Sequence, residues 1–328
     1  MPVPYGRVVL NCVLGALFFA AAAAAPAQQN YPNRALRLIV PLAPGGPSDI
    51  LARTMAQKMT EGLKQTIVVD NRTGAGGTIG TDIAAKSPAD GYTLLLIAAA
   101  TYTINASLYQ KLPYDPRKDL KPVSIMAGAP YILVVHPSLP VKSVKELLTL
   151  AKARPGQLNY GSGGSGTGPQ MAFELLKLKT GADIVHIPYK GTGPALNDMI
   201  AGHVQVALFN MIAALPVVKA GRLRGLAVSG PKRSARIPEL PTLSEVGIPG
   251  FEEVGGHMIM VPGATPGAIV GRLHQEILKA LHSPEVKARL ESEGAEIIGN
   301  TPEQAGAVLR DDMAKWAEVI RRTGIRAN

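Results

Sequence analysis

Leu38-Ile39-Val40-Pro41-Leu42-Ala43-Pro44-Gly45-Gly46-Pro47-Ser48-Asp49 is an apolar strand pattern that runs into a Pro/Gly turn and then into a helix start. A second stretch of the same grammar follows later in the chain, Asn159-Tyr160-Gly161-Ser162-Gly163-Gly164-Ser165-Gly166-Thr167-Gly168. A helix start leaves about four main-chain amides without intrahelical partners and carries roughly half a positive charge, so it attracts an anion with no help from Arg or Lys. Two such turns facing each other would hold a carboxylate. Glycine also serves tight strand-to-helix connections on geometric grounds alone. What tips the second turn toward binding is polarity without charge, because Ser162, Ser165 and Thr167 set hydroxyls beside the free amides.

Outward from these turns, short β-branched or Leu-rich runs alternate with longer amphipathic ones, the pattern of an α/β fold of mostly parallel sheets flanked by helices. Strands are expected at 36–40, 66–69, 93–97, 123–127, 132–135, 158–160, 184–187, 204–208, 223–228 and 258–261. Helices are expected at 49–61, 143–153, 169–178, 194–201, 266–281, 285–293 and 302–322. Two extended stretches are interrupted inside, Val123 to His136 at Gly128-Ala129-Pro130 and Phe251 to Pro262 at Gly255-Gly256. A chain that passes twice between two bodies bends at such places. That assigns lobe one to 31–127 plus 257–328 and lobe two to 130–250, with hinges near 128–130 and 251–256. Ordinary long strands carrying bulges are the alternative.

Residues 1–27 read as a secretory signal peptide. Arg7 supplies the positive start, Val8 to Ala24 carry no charge, and Ala25-Pro26-Ala27 form a small-residue cleavage pattern before Gln28. A retained membrane anchor is the alternative, for which about 17 apolar residues fall short of the ~20 of a span. Cys12, the only cysteine, lies inside this segment, so the mature chain has neither a disulfide framework nor a thiolate metal site. Loss of Arg7 takes the formal charge from +10 to +9, with 33 Lys and Arg left against 24 Asp and Glu. These basic residues are scattered and aromatics make up 5% of the chain, so no basic run with interleaved aromatics suits nucleic acid. The mild positive field favours small anions instead.

Gly161-x-Gly163-x-x-Gly166 matches the dinucleotide fingerprint formally, but Asp183, at the required distance, precedes its strand instead of ending it. No G-x-x-x-x-G-K-[ST] loop is present, and Gly163-Gly164-Ser165-Gly166-Thr167 departs from a nucleophile elbow at its last position. His274 and His282 are eight apart, too far for a helical metal pair. No cofactor, metal or catalytic set is therefore expected. Asp49 falls in a first helical turn, where capping is the commoner role. Tyr189-Lys190-Gly191-Thr192-Gly193-Pro194 makes a third strand-to-helix turn, which brings Tyr189 and Lys190 in as further candidates; a solvated side chain is the commoner fate of a lone Lys.

Six blocks, in order, carry a resemblance over essentially the whole mature chain. They are Tyr31-Pro32 with Leu38 to Asp49, Asn71-Arg72-Thr73-Gly74-Ala75-Gly76-Gly77, Asp90-Gly91-Tyr92-Thr93-Leu94-Leu95, Lys111-Leu112-Pro113-Tyr114-Asp115, His186-Ile187-Pro188-Tyr189-Lys190-Gly191, and Ile237-Pro238-Glu239-Leu240-Pro241-Thr242. In these the chain resembles the tripartite tricarboxylate transporter substrate-binding proteins of the Bug type, the Bordetella uptake gene family. The resemblance implies a monomeric periplasmic receptor of the type II-like Venus-flytrap, periplasmic-binding-protein fold. Such a receptor closes on a small organic acid and passes it to membrane permease subunits. Carried over, the ligand loops are Ala43, Pro44, Gly45, Gly46, Ser48 and Asp49 on one side and Ser162, Gly163, Gly164, Ser165, Gly166 and Thr167 on the other. The strand end Ala99 to Thr101 and Asn210 are further wall positions. Two departures bear on the ligand: Phe209 stands where relatives often have Asp, and Gly256-His257 stand where relatives have a Trp-Phe pair. They point to a plain or aromatic carboxylate rather than an amino acid. A receptor that feeds a sensor and a secreted two-lobe enzyme remain the alternatives.

Overall fold

The computed structural model describes residues 31–326, so the signal expected at 1–27 lies outside the described residues. The chain runs β1 (Leu36–Val40), α1 (Pro47–Leu63), β2 (Ile67–Asn71), a 3-10 turn (Ala75–Gly77), α2 (Thr78–Ala85), β3 (Thr93–Ala98) and α3 (Ala99–Leu108). It continues through β4 (Leu120–Val135), α4 (Val144–Ala153), β5 (Asn159–Ser162), α5 (Gly168–Thr180), β6 (Val185–Pro188), α6 (Thr192–Ile200), β7 (Val206–Asn210), α7 (Met211–Lys219) and β8 (Arg224–Val228). It ends with β9 (Val254–Pro262), α8 (Gly267–Leu281), α9 (Pro284–Ser292), β10 (Glu296–Ile297) and α10 (Pro302–Thr323). Helices α2, α3 and α7 and the short β10 were not expected from the sequence pattern. In α3, Thr101, Thr103 and Ile104 are β-branched and read locally as strand, and burial of Tyr102 and Ile104 overrides that preference.

The strands form a sheet in the order β2-β1-β3-β9-β4-β7-β5-β6, with β8 and β10 also paired to β4. Pairs on the two flanks are parallel, β1 with β2 and β3, and β5 with β6 and β7. Those along the centre, β3-β9, β9-β4 and β4-β7, are antiparallel. The break expected at Gly128-Ala129-Pro130 is a change of partner inside one 16-residue strand. Up to Pro130, paired with Val254, β4 bonds to β9; from Tyr131, paired with Asn210, it bonds to β7. Proline has no N–H to leave stranded at such a handover. The next amide, that of Tyr131, donates to Ser229 Oγ at 2.8 Å.

This topology turns the two flanks toward each other. Strand β3 runs in the direction of β4, whereas β5, β6 and β7 run against it. The C-terminal ends of both flanks therefore converge at the handover: Ala98 stands level with His257 and Ala127, and Asn210 with Tyr131. The main apolar cluster joins α1, α7 and α8 to one face of the sheet through Leu51, Met55, Met211, Ile259 and Leu273. A second packs α4 and α5 on the β5-β7 flank, with Tyr160 and Phe173 rings stacked at 3.8 Å. A third holds α10 against β3 and β9 through Ile97, Met258 and Leu309. Among the described residues no helix is long and apolar enough to cross a membrane.

Candidate functional site

Several helices begin around this convergence, and four of them, α1, α3, α5 and α6, have no side-chain cap, as is also true of α2 and α8, whose N-caps are Gly77 and Pro266. Helices α1 and α3 follow strands of one flank, with Gly46 and Ala98 at their N-caps. Helices α5 and α6 follow strands of the other, with Thr167 and Gly191 at their N-caps. The starts of α4, α7, α9 and α10 are instead capped by Ser143, Asn210, Ser283 and Thr301 side chains. These starts meet in pairs across the flanks, α1 with α6 and α3 with α5. A Cβ built on Gly46 would stand 3.4 Å from Thr192 Cβ, one on Gly163 would stand 3.3 Å from the Thr192 nitrogen, and one on Gly168 would stand 3.3 Å from Ala100 Cβ. Across the flanks Ala43 N donates to the Lys190 carbonyl at 2.9 Å, and Gly168 N to Thr101 Oγ1 at 3.4 Å. A helix start leaves first-turn amides without intrahelical partners and a partial positive charge, and here these face one another across the flanks, although the first amide of α5 is taken by Thr101.

The expected site residues sit here, but their side chains divide sharply from their main chain. Asp49 is buried and its carboxylate accepts from Gly45 N at 3.0 Å and from both Arg53 nitrogens. Burial alone would raise its pKa, yet the hydrogen bonds from Arg53, Gly45 and Asn71 outweigh that and hold it below the usual carboxylate range. Ser162 is fully buried; its hydroxyl lies 2.7 Å from His186 Nε2 and accepts from Gly164 N at 3.1 Å. A nucleophile and base would pair in this way, but with no exposed surface the Ser162 oxygen braces the turn instead. Thr167 Oγ1 donates to the Gly164 carbonyl at 2.7 Å. Asn210 caps α7 and donates to the Ala129 carbonyl, and Tyr189 donates its hydroxyl to Asp198.

The remaining candidates differ in position. Ser48, Gly46, Ala99, Thr101, Gly163, Gly164 and Gly166 are buried at the mouth, Ala43 and Ser165 are half-buried, and Pro44 and Gly45 are exposed at its rim. Lys190 is exposed too, and it enters the mouth through its carbonyl. Phe209 is buried in the main apolar cluster, where its ring serves core packing and does not face the mouth as a polar group.

Four contributors stand outside the expected site residues. Tyr131 is buried, and its hydroxyl is the atom a Cβ on Gly168 or Gly255 would meet, at 2.6 and 2.9 Å, so it stands between the α5 start and the returning strand. His257 is 2% exposed with Nδ1 unpartnered, and burial pushes its pKa down to about 4. His186 is likewise pushed down to about 4 by burial. The 3-10 turn at Ala75–Gly77 also reaches the opposite flank, where Gly76 lies against the Ser165 carbonyl. The Gly74-Ala75-Gly76-Gly77 run, which follows a strand and belongs to the second resemblance block, was the available signal. Among the described residues no group of three His, Cys, Asp or Glu could hold a metal ion.

A mixed sheet whose two flanks present helix starts to a shared mouth is the two-lobed α/β architecture of periplasmic binding proteins. The likeness is borne out by a solved periplasmic binding protein, BugD, which superposes with a TM-score of 0.88 at 32% identity, covering 90% of this chain and 99% of its own. The R. palustris protein Rpa4515, solved with adipate, superposes with a TM-score of 0.87 at 36% identity, covering 90% of this chain and 99% of that one. The family model described as tripartite tricarboxylate transporter family receptor matches residues 51–325. Protein BugT of Bordetella pertussis is 40% identical over 319 residues, 97% of this chain and 98% of the relative. The chain belongs to the tripartite tricarboxylate transporter receptor family, and the resemblance read from the six sequence blocks is correct.

Proposed function

We propose that this receptor captures a small organic carboxylate by closing lobe one (31–127 and 257–328) on lobe two (130–250) about hinges near 128–130 and 251–256. It then delivers the acid to the membrane subunits of a tripartite tricarboxylate-type transporter. Export by the leader at 1–27 sets this in the periplasm. The observation that carries the reading is the facing of uncapped helix starts, α1 with α6 and α3 with α5, while the nearby cations are otherwise placed: Arg53 is bound to Asp49, and Lys190 is exposed. A site built this way prefers a carboxylate to a cation or a neutral sugar and releases it readily once opened. Each helix start contributes about 0.3 to 1 kcal/mol when exposed and up to ~2 when partly buried. Micromolar binding takes roughly 8 kcal/mol, so several amides must act together in a mouth closed to water. The adipate carried by Rpa4515 supports a dicarboxylate. The absence of an acid at position 209 speaks against an amino acid, whose ammonium group needs a partner.

The test is calorimetry at pH 7 against adipate, malate, benzoate and glutamate. Adipate, malate or benzoate is expected to bind with micromolar or tighter affinity and glutamate at least tenfold more weakly. Preference for glutamate, or heat only from a neutral sugar control, would overturn the reading.

A further inference from the structure

The opposed turns meet through glycine and main chain. A Cβ added to Gly193 would fall on the Pro44 carbonyl oxygen, one on Gly191 would stand 2.7 Å from Ala43 N, and one on Gly76 would fall on the Ser165 carbonyl oxygen. All three clashes lie between the flanks, not within either. Gly193 is the cleanest case. It is the second residue of α6 and is absent from the positive-φ positions, so an alanine suits its own backbone and favours the helix. Only the far side of the mouth forbids the methyl group.

From this contact, and resting on the carboxylate-receptor reading above, we propose that Gly193, seconded by Gly191 and Gly76, is a positioning residue for closure. The bare backbone at this seam sets how far the two lobes approach. A single methyl group there acts as a doorstop, leaving every ligand-facing amide in place on its own lobe but holding the two sets apart. Near-contact geometry makes this costly: amides placed 2.7–3.2 Å from an oxygen lose their hydrogen bonds when shifted by the width of a methyl group.

The test reads closure separately from binding. Cys12, the only native cysteine, is replaced by Ser, and a reporter pair Gly46→Cys and Thr192→Cys is introduced, since the 3.4 Å Cβ separation is near the span of a disulfide. In the absence of ligand this pair is expected to cross-link under mild oxidation, and at least tenfold more slowly when Gly193→Ala is added. Without the reporter pair, Gly193→Ala is expected to weaken adipate binding at least tenfold and to melt within a few degrees of the parent. Gly271→Ala, on α8 with open space around it, is the control and is expected to change neither rate nor affinity. Equal cross-linking rates with and without Gly193→Ala, a reporter pair that never cross-links, or collapse of the Gly193→Ala fold would each overturn the seam. Slowed cross-linking in a protein that binds none of the acids would leave the seam standing and remove the carboxylate reading.

Discussion

At the scale of single residues, the second turn is held by side chains bonded within the protein. His186 stacks on Tyr160, with ring centroids 4.7 Å apart, and bonds Ser162, which in turn holds the Gly164 amide. This chain of contacts ties the second turn to β6. Both His186 and His257 have pKa values near 4 in the folded protein against an ordinary 6.5. The unfolded chain therefore binds more protons between those limits, and stability must fall as pH drops from about 6.5 toward 4. At about 1.4 kcal/mol per pH unit, His257 accounts for roughly 3 kcal/mol over that window, and the partly exposed His186 for less. Urea unfolding at pH 7 and pH 4.5 is expected to show this loss, and His186→Gln with His257→Gln to flatten it. A stability that stays level across the window in the unmodified protein would contradict the burial argument. The hydroxyls of Ser162 and Thr167 illustrate what residue type leaves open: their presence beside the glycines was legible, but not their direction, which for Ser162 is set by His186 on the next strand and for Thr167 by the Gly164 carbonyl within the turn.

The helix start is the element on which the proposed recognition rests. Helices α1 and α5 announced themselves through Gly and Pro at the turn, because only those residues suit an abrupt strand-to-helix change. The third strand-to-helix turn, at 189–194, was legible for the same reason, and it leads into α6. Helix α3 was hidden. Ala99-Ala100-Thr101-Tyr102-Thr103-Ile104 has no cap, no proline and no glycine, and its helicity is imposed by Tyr102 and Ile104 packing beneath α10 and α5. The strand end at Ala99 to Thr101 was placed at the site by resemblance, while its nature as a fourth helix start emerges only from the fold. This element supplies its own test. Ala100→Asp puts a carboxylate on the first turn of α3, where it favours the helix but competes with an incoming anion. Adipate affinity is expected to fall at least tenfold with the melting temperature unchanged or higher; unchanged affinity would show that α3 takes no part.

In the molecule as a whole, the decisive device is the direction of β4. By running with β3 and against β7, it forces strand ends of the two flanks to face each other, and the partner change at Pro130 puts that meeting beside the crossing strands. The interruption at Gly128-Ala129-Pro130 was visible in sequence, and a long strand carrying bulges was the alternative held open there; sequence could not show the change of partner, since the bonds that carry the strand across come from β7, β8 and β9. The central claim is that a carboxylate is gripped by main-chain amides of α1 and α3 from one lobe and of α5 and α6 from the other. A crystal structure grown with adipate tests it most directly. One carboxylate is predicted within about 3.2 Å of amides from both lobes, including the first turns of α1 and α5, with no Lys or Arg side chain in contact. Adipate held by Lys190 or another surface cation, or bound to one lobe alone, would contradict the account.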